Sequence, residues 1–217
     1  MSRQAISLES LEHDALTELV NIGVSRAASG LRKMVGEHVL LSVPSVEVVS
    51  RKAAATLIRE REIGDLVAVL QDFDGAFSGR ALLIFPEANS LDLVRAVTGD
   101  DLPPDEVRAM ETEALAETGN VVLNGCVATM ANMLRRPLTL SLPRVIRGDG
   151  QLFFQLNEQS VSEGVVLFLY INFTISGRDI RGYIAMLMDL PSLEVLKMLI
   201  SEFISRVIGS EDLGQLT

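Results

Sequence analysis

The sequence predicts an α/β chain of the α+β kind, folded as one domain built from two related halves. Three observations carry this. Helical and extended patterns alternate along the chain rather than segregating. Their order (long helix, extended segment, hairpin, shorter helix) occurs twice. Short stretches also agree at a near-constant spacing, which is how an internal repeat shows itself. Leu41-Ser42-Val43-Pro44-Ser45-Val46 matches Leu140-Ser141-Leu142-Pro143-Arg144-Val145, and Met34 matches Met133, both at an offset of 99 (143 − 44 = 133 − 34 = 99). Ser90-Leu91 and Ser192-Leu193 follow at 102 (192 − 90 = 102), a slip that three residues inserted into a hairpin explain. The halves are expected at about 8–99 and 105–208 of a single 1–217 domain, with a flexible tail at 209–217.

The elements follow in order. Leu8 to Val35 reads as a long helix with apolar positions at Leu8, Leu11, Ala15, Leu19 and Ile22, Ser7 or Ser10 as candidate caps and Gly36 as its stop. Val39 to Val49 is β-branched and extended, interrupted by Pro44. Arg51 to Glu62 reads as a short helix. Leu66 to Phe73 and Phe77 to Phe85 form a hairpin around Asp74-Gly75. A helix from Glu87 to Val97 closes the half at Thr98-Gly99. After the boundary at Leu102-Pro103-Pro104, Asp105 is expected to cap a second long helix reaching about Arg136. Extended segments are expected at Leu138 to Ile146, Gln151 to Leu156, Val165 to Ile175 and Ile180 to Met188, then a helix from Pro191 to about Val207.

Composition narrows the function. At 217 residues, 48% apolar and 22% charged, the chain is globular and rich enough in Val, Ile, Leu and Met to bury a core. Its formal charge of −10 repels phosphate backbones and anionic lipid, so no nucleic-acid or membrane partner is expected. A single cysteine, Cys126, excludes an internal disulfide framework and fits a reducing cytoplasm; lying in an apolar helical run, it reads as a packed thiol. Met1 to Glu12 has no apolar stretch of the kind that marks a signal peptide. Val165 to Phe173 is too short to span a bilayer, so a soluble, cytoplasmic protein is expected. His13 and His38 have no Cys or acidic cluster at ligand spacing, so no metal site is expected. Gly23, Gly30 and Gly36 are too scattered for a phosphate-binding loop. Met110, Met130, Met133, Met186, Met188 and Met198 read as core filling.

The residues left for chemistry are four. Glu18 and Asn21 stand three apart on the first long helix and therefore share a face, with Asp14 and Ser25 extending the stripe. Glu117 and Asn120 stand at the same offset on the second long helix (117 − 18 = 120 − 21 = 99), with Glu113 and Asn124 in the places of Asp14 and Ser25. One Glu-x-x-Asn carries no weight, since a chain of this length shows on the order of one by chance and such residues ordinarily solvate the outer face of a buried helix. Asn is a mediocre helix former, however, so its recurrence in register in both halves points to use rather than solvation. An acid and an amide with no nucleophile, base or metal make an incomplete active site. They suffice only where the substrate brings the rest.

Glu18-Leu19-Val20-Asn21-Ile22-Gly23 and Glu117-Thr118-Gly119-Asn120-Val121-Val122-Leu123-Asn124 resemble the paired motifs of CheC-type chemotaxis phosphatases, a group that includes CheX and FliY. In that family, as here at Ser42-Val43-Pro44 and Ser141-Leu142-Pro143, an extended segment with an internal Pro follows each motif helix. The resemblance covers nearly the whole chain. It implies a pseudo-two-fold fold with a central, mainly antiparallel sheet and the two motif helices side by side. It implies an enzyme, a hydrolase that dephosphorylates the phospho-aspartate of the response regulator CheY. Asn21 and Asn120 would orient the water while Glu18 and Glu117 contact the regulator's Lys. No intrinsic cofactor is implied, because the regulator supplies Mg²⁺. CheD, which some relatives bind, is a candidate second partner. Two departures stand out: Val20 where the family often has Gly, expected to tilt docking at the first site, and Ser25-Arg26 where a small-residue Gly-Asn pair is common. The alternative is a non-catalytic CheY- or switch-binding module like the related FliM middle domain.

Overall fold

The computed structural model describes residues 8–36, 38–98, 103–154, 164–175 and 178–214. Within them lie six helices and seven strands: α1 (Ser10–Val35), β1 (Val39–Ser50), α2 (Arg51–Arg61), β2 (Leu66–Gly75), β3 (Gly79–Pro86), α3 (Glu87–Thr98), α4 (Pro104–Leu134), β4 (Leu138–Leu140), β5 (Arg144–Gly148), α5 (Gly150–Phe154), β6 (Val165–Ile175), β7 (Arg178–Met188) and α6 (Leu190–Gly214). The expected cap Ser7, the boundary residues Gly99 and Leu102, and the end of the chain at 215–217 fall outside the described residues.

All seven strands join one sheet in the order β1-β6-β7-β3-β2-β4, with β5 also pairing β2, and every pairing is antiparallel. Exchanging the halves exchanges β7 with β3, β6 with β2, and β1 with β4 and β5, so the sheet has the expected pseudo-two-fold arrangement about its centre. Strand alternation sends side chains to opposite faces. Val67, Val69, Phe73, Leu83, Phe85, Leu167, Leu169 and Ile184 meet α1, α3, α4 and α6 in the larger core. Leu66, Ala68, Leu70, Phe168 and Tyr183 pack against α2 and α5 in the smaller one.

Several element ends differ from expectation for local reasons. Glu9, not a serine, caps α1: its side chain and that of Glu12 satisfy each other's backbone N–H in a capping box. Gly36 ends the helix at φ 76°, a left-handed turn that costs glycine nothing. Asp105 does not cap α4. Pro103 occupies that position and Pro104 opens the helix, where a missing N–H is harmless, leaving Asp105 and Glu106 in the first turn to favour the helix dipole. Where an extended Gln151–Leu156 is expected, residues 150–154 are helical, because the Asp149 carboxylate accepts from the N–H groups of Gln151 and Leu152. The single segment Leu138–Ile146 is two strands broken at Ser141-Leu142-Pro143. The helix α6 continues past Val207 to Gly214.

The buried stripe of α1 is Leu16, Leu19, Val20, Gly23, Val24, Ala27 and Leu31; Leu11, expected inside, is exposed. Met130, Met186 and Met188 fill the core as expected, whereas Met110 and Met198 are exposed at 43% and 53%. No helix among the described residues is long and apolar enough to cross a membrane.

Gly119 sets how closely α4 lies on the sheet: a methyl built there would stand 2.5 Å from Val69 Cβ and overlap its γ-carbons. Gly119→Ala is therefore expected to destabilise the fold by about 1–3 kcal/mol through overpacking, outweighing the roughly 1 kcal/mol of helix propensity that alanine gains. Urea unfolding of the variant beside the parent protein measures this.

Candidate active site

The helices α1 and α4 lie side by side and antiparallel. A methyl on Gly23 would come 3.0 Å from Cys126 Cα, one on Gly125 would come 3.0 Å from Ala27 Cα, and one on Gly30 would come 2.9 Å from Val121 Cγ1. Small residues at these crossings let the two backbones approach. Cys126 is buried in this seam, where loss of solvation pushes its thiol up to about 12 and keeps it unreactive at neutral pH.

Each helix shows the outside a narrow polar stripe. Glu18 and Glu117 are exposed; Asn21 and Asn120, one turn on, are half-buried. Because Val121 lies at the level of Gly30, the two asparagines are offset by roughly 14 Å along the helix pair at 1.5 Å per residue. Neither glutamate forms an ion pair among the described residues, so both carboxylates are free to meet a cation from outside. Glu18, Asn21, Ile22, Ser25, Arg26 and Ser29 line an open groove of about 340 Å³ along α1.

The two amides have different surroundings. Asn120 Oδ1 accepts from Gln71 Nε2 at 3.1 Å and from Asn124 Nδ2 at 2.6 Å. Gln71 is 1% exposed, on the helix-facing side of β2, and also donates to the Ser141 carbonyl at 2.9 Å. Ser141 is knitted to the same strand: its N–H donates to the Asp72 carbonyl and its hydroxyl accepts from the Asp72 N–H. Asp72 in turn holds Arg80 at 2.7 Å and Arg144 at 3.0 Å. Next to Ser141, Leu142 is 85% exposed, an apolar side chain presented beside the site. Asn21 has no such attachments among the described residues.

Val20, expected to disturb docking at the first site, is 3% exposed and points into the core, so it cannot touch a docked partner. Ser25 and Arg26 are exposed beside Asn21. Gln71 and Ser141 join the site without being among the residues the sequence points to. Gln71 is the one amide in the apolar run Leu66-Val67-Ala68-Val69-Leu70-Gln71, and only the strand pairing brings it under α4. Among the described residues no three His, Cys, Asp or Glu side chains gather where they could hold a metal ion.

Residues 67–167 match the family model described as "Chemotaxis phosphatase CheX". Over 141 residues, 64% of its length, the chain is 25% identical to the flagellar motor switch phosphatase FliY of Bacillus subtilis (strain 168), spanning 36% of that protein. Over 138 residues, 61% of its length, it is 22% identical to the CheY-P phosphatase CheC of the same organism, spanning 64% of it. Over these residues the chain is similar to the CheC, CheX and FliY proteins. It thus spans about a third of the FliY relative and just under two thirds of the CheC relative. The fold agrees: Thermotoga maritima FliY superposes with a TM-score of 0.72 at 16% identity, over 91% of this chain and 100% of that one. The FliM middle domain from H. pylori superposes at 0.53 and 8% identity, over 88% and 99%.

Within this fold the two asparagines respond differently to truncation. Asn120→Ala removes an acceptor from buried Gln71 and is expected to cost about 1–2 kcal/mol. Asn21→Ala loses no internal hydrogen bond and is expected to stay within about 0.5 kcal/mol of the parent. Denaturant midpoints of the two single variants test the difference.

Proposed function

We propose that this chain hydrolyses the phospho-aspartate of a chemotaxis response regulator of the CheY class. The observation that carries the reading is the repeated acid and amide, one helical turn apart, presented outward on adjacent antiparallel helices. The name CheY-P phosphatase borne by the B. subtilis CheC relative supports it. The halves at 8–99 and 105–208 are, on this reading, copies of one ancestral unit, and each brings its own pair.

The chemistry is hydrolysis of an acyl phosphate. A water oxygen forms a bond to phosphorus as the bond to the aspartyl oxygen breaks, releasing inorganic phosphate and restoring the carboxylate. The transition state is loose, so the main requirements are an in-line water and compensated charge. The regulator contributes its Mg²⁺ and Lys. Asn21 or Asn120 enters beside the phosphoryl group and orients the water without taking its proton. Glu18 or Glu117 pairs with the regulator's Lys and holds the amide in register. Mounting both side chains on one rigid helix keeps their spacing constant during docking. The FliM-like fold on its own is equally compatible with a binding module that hydrolyses nothing. The two intact acid–amide pairs favour hydrolysis, because binding alone does not need a water-orienting amide at both places.

Phosphate release from Mg²⁺-loaded phospho-CheY tests the proposal. Asn21→Ala combined with Asn120→Ala is expected to reduce release to the regulator's own rate while circular dichroism shows an intact fold. A double variant with the parent rate would overturn the mechanism. A second expectation concerns the metal. EDTA should leave the melting temperature of the isolated chain unchanged yet stop release in the mixture, and a large fall in melting temperature on chelation would instead reveal an intrinsic ion.

A further inference from the structure

We infer that Gln71, with Asn124, is a positioning residue that locks the Asn120 amide in one orientation, so that the second site presents only N–H groups to the phosphoryl centre, whereas the first site has no such lock. The kinetic part of this inference rests on the phosphatase reading above; the geometric part does not.

An amide oxygen has two lone pairs. Those of Asn120 Oδ1 are both engaged, one by Gln71 Nε2 and one by Asn124 Nδ2. Turning the amide over would place its NH₂ against two donors, so the face left outward is Nδ2. Gln71 is itself fixed: it is buried and its second hydrogen goes to the Ser141 carbonyl. That carbonyl faces β2 because the edge of the sheet breaks there. Leu140 pairs with Phe73 and Arg144 with Leu70, leaving Ser141-Leu142-Pro143 opposite Gln71 and Asp72.

The other half has a register shift at the matching place, within the continuous strand β1, without the lock. Ser42 pairs with Asn172 and Ser45 with Tyr170, so Val43-Pro44 lies opposite Ile171. The residue in the place of Gln71 is therefore Ile171, which is fully buried and has nothing to donate. The counterpart of Asn124 on α1 is Ser25, whose shorter side chain makes no hydrogen bond to Asn21 among the described residues and whose carbonyl accepts from Ser29 Oγ. Two sites that match in sequence at Glu and Asn thus differ beneath the surface. The second holds its amide ready and the first must order it on docking, at an entropic cost.

Two measurements on the full chain test this. In ¹⁵N relaxation of side-chain amides, Asn120 is expected to be rigid and Asn21 mobile, and Gln71→Leu should free Asn120. In an Asn21→Ala background, where only the second site acts, Gln71→Leu should lower turnover of phospho-regulator at least about tenfold with the half-saturating regulator concentration unchanged. Gln71→Glu supplies a readout that simple loss of packing would not give. Its buried carboxyl has a raised pKa and donates only when protonated, so its activity relative to the parent should recover as pH falls. If Gln71→Leu does not fold, Asn124→Ala removes the other donor from the outer side and should show the same loss of turnover. An Asn120 amide as mobile as that of Asn21, or turnover within twofold of the background in a folded Gln71→Leu or Asn124→Ala protein, would overturn the inference. A rigid Asn120 in a parent protein that releases no phosphate from any regulator would uphold the lock and sink the functional reading instead.

Discussion

The close approach of α1 and α4 is the constraint on which the rest of the molecule depends. Gly23 and Gly125 let the two helices meet nearly backbone to backbone, Gly30 makes room for the Val121 side chain, and Gly119 lets α4 settle onto Val69 of the sheet. A larger residue at any of these points would push a helix outward by a sizeable fraction of an ångström, because packed interiors have no slack to absorb it. The position of each acid–amide pair relative to the sheet, and of the pairs to one another, follows from these contacts. The core packing therefore sets how precisely the two pairs are placed.

The second consequence concerns polarity at depth. A buried N–H is costly to leave unpaired; the Gln71 Oε1, by contrast, is buried without a partner among the described residues. Gln71 satisfies its N–H groups with one acceptor from the broken sheet edge and one from the outer helix. It therefore links the sheet interior, the Ser141 loop and the exposed face of α4 in one hydrogen-bonded chain. Each segment carries a Pro, which has no ladder donor: at Pro143 the edge splits into β4 and β5, and at Pro44 the continuous strand β1 only shifts register. In the first half a register shift stands at the matching place, and Ile171 lies where Gln71 lies in the second. The two halves match in backbone but not in chemistry.

The fold shared with FliY and the FliM middle domain at 16% and 8% identity fits this separation of frame from surface. The sheet and helices form a stable frame, and the outward residues of two helices together with a few groups just below them decide what the frame does.

Much of this was legible in the residues alone. Periodicity gave the two long helices, the hairpins and their order, because apolar spacing directly reflects which face is buried. The matched offset of Glu18, Asn21, Glu117 and Asn120 was visible because a repeat preserves register along the chain. Helix α5 and the cap of α1 were misread because both depend on one local carboxylate, Asp149 and Glu9, competing with the average propensity of the segment. What tertiary structure alone decided was whom each side chain touches. Gln71 and Asn120 are 49 residues apart and meet only after β2 has paired with its neighbours and α4 has docked on Gly119. Local sequence encodes periodicity and turns; contacts between distant segments are chosen by packing, which no window of sequence contains.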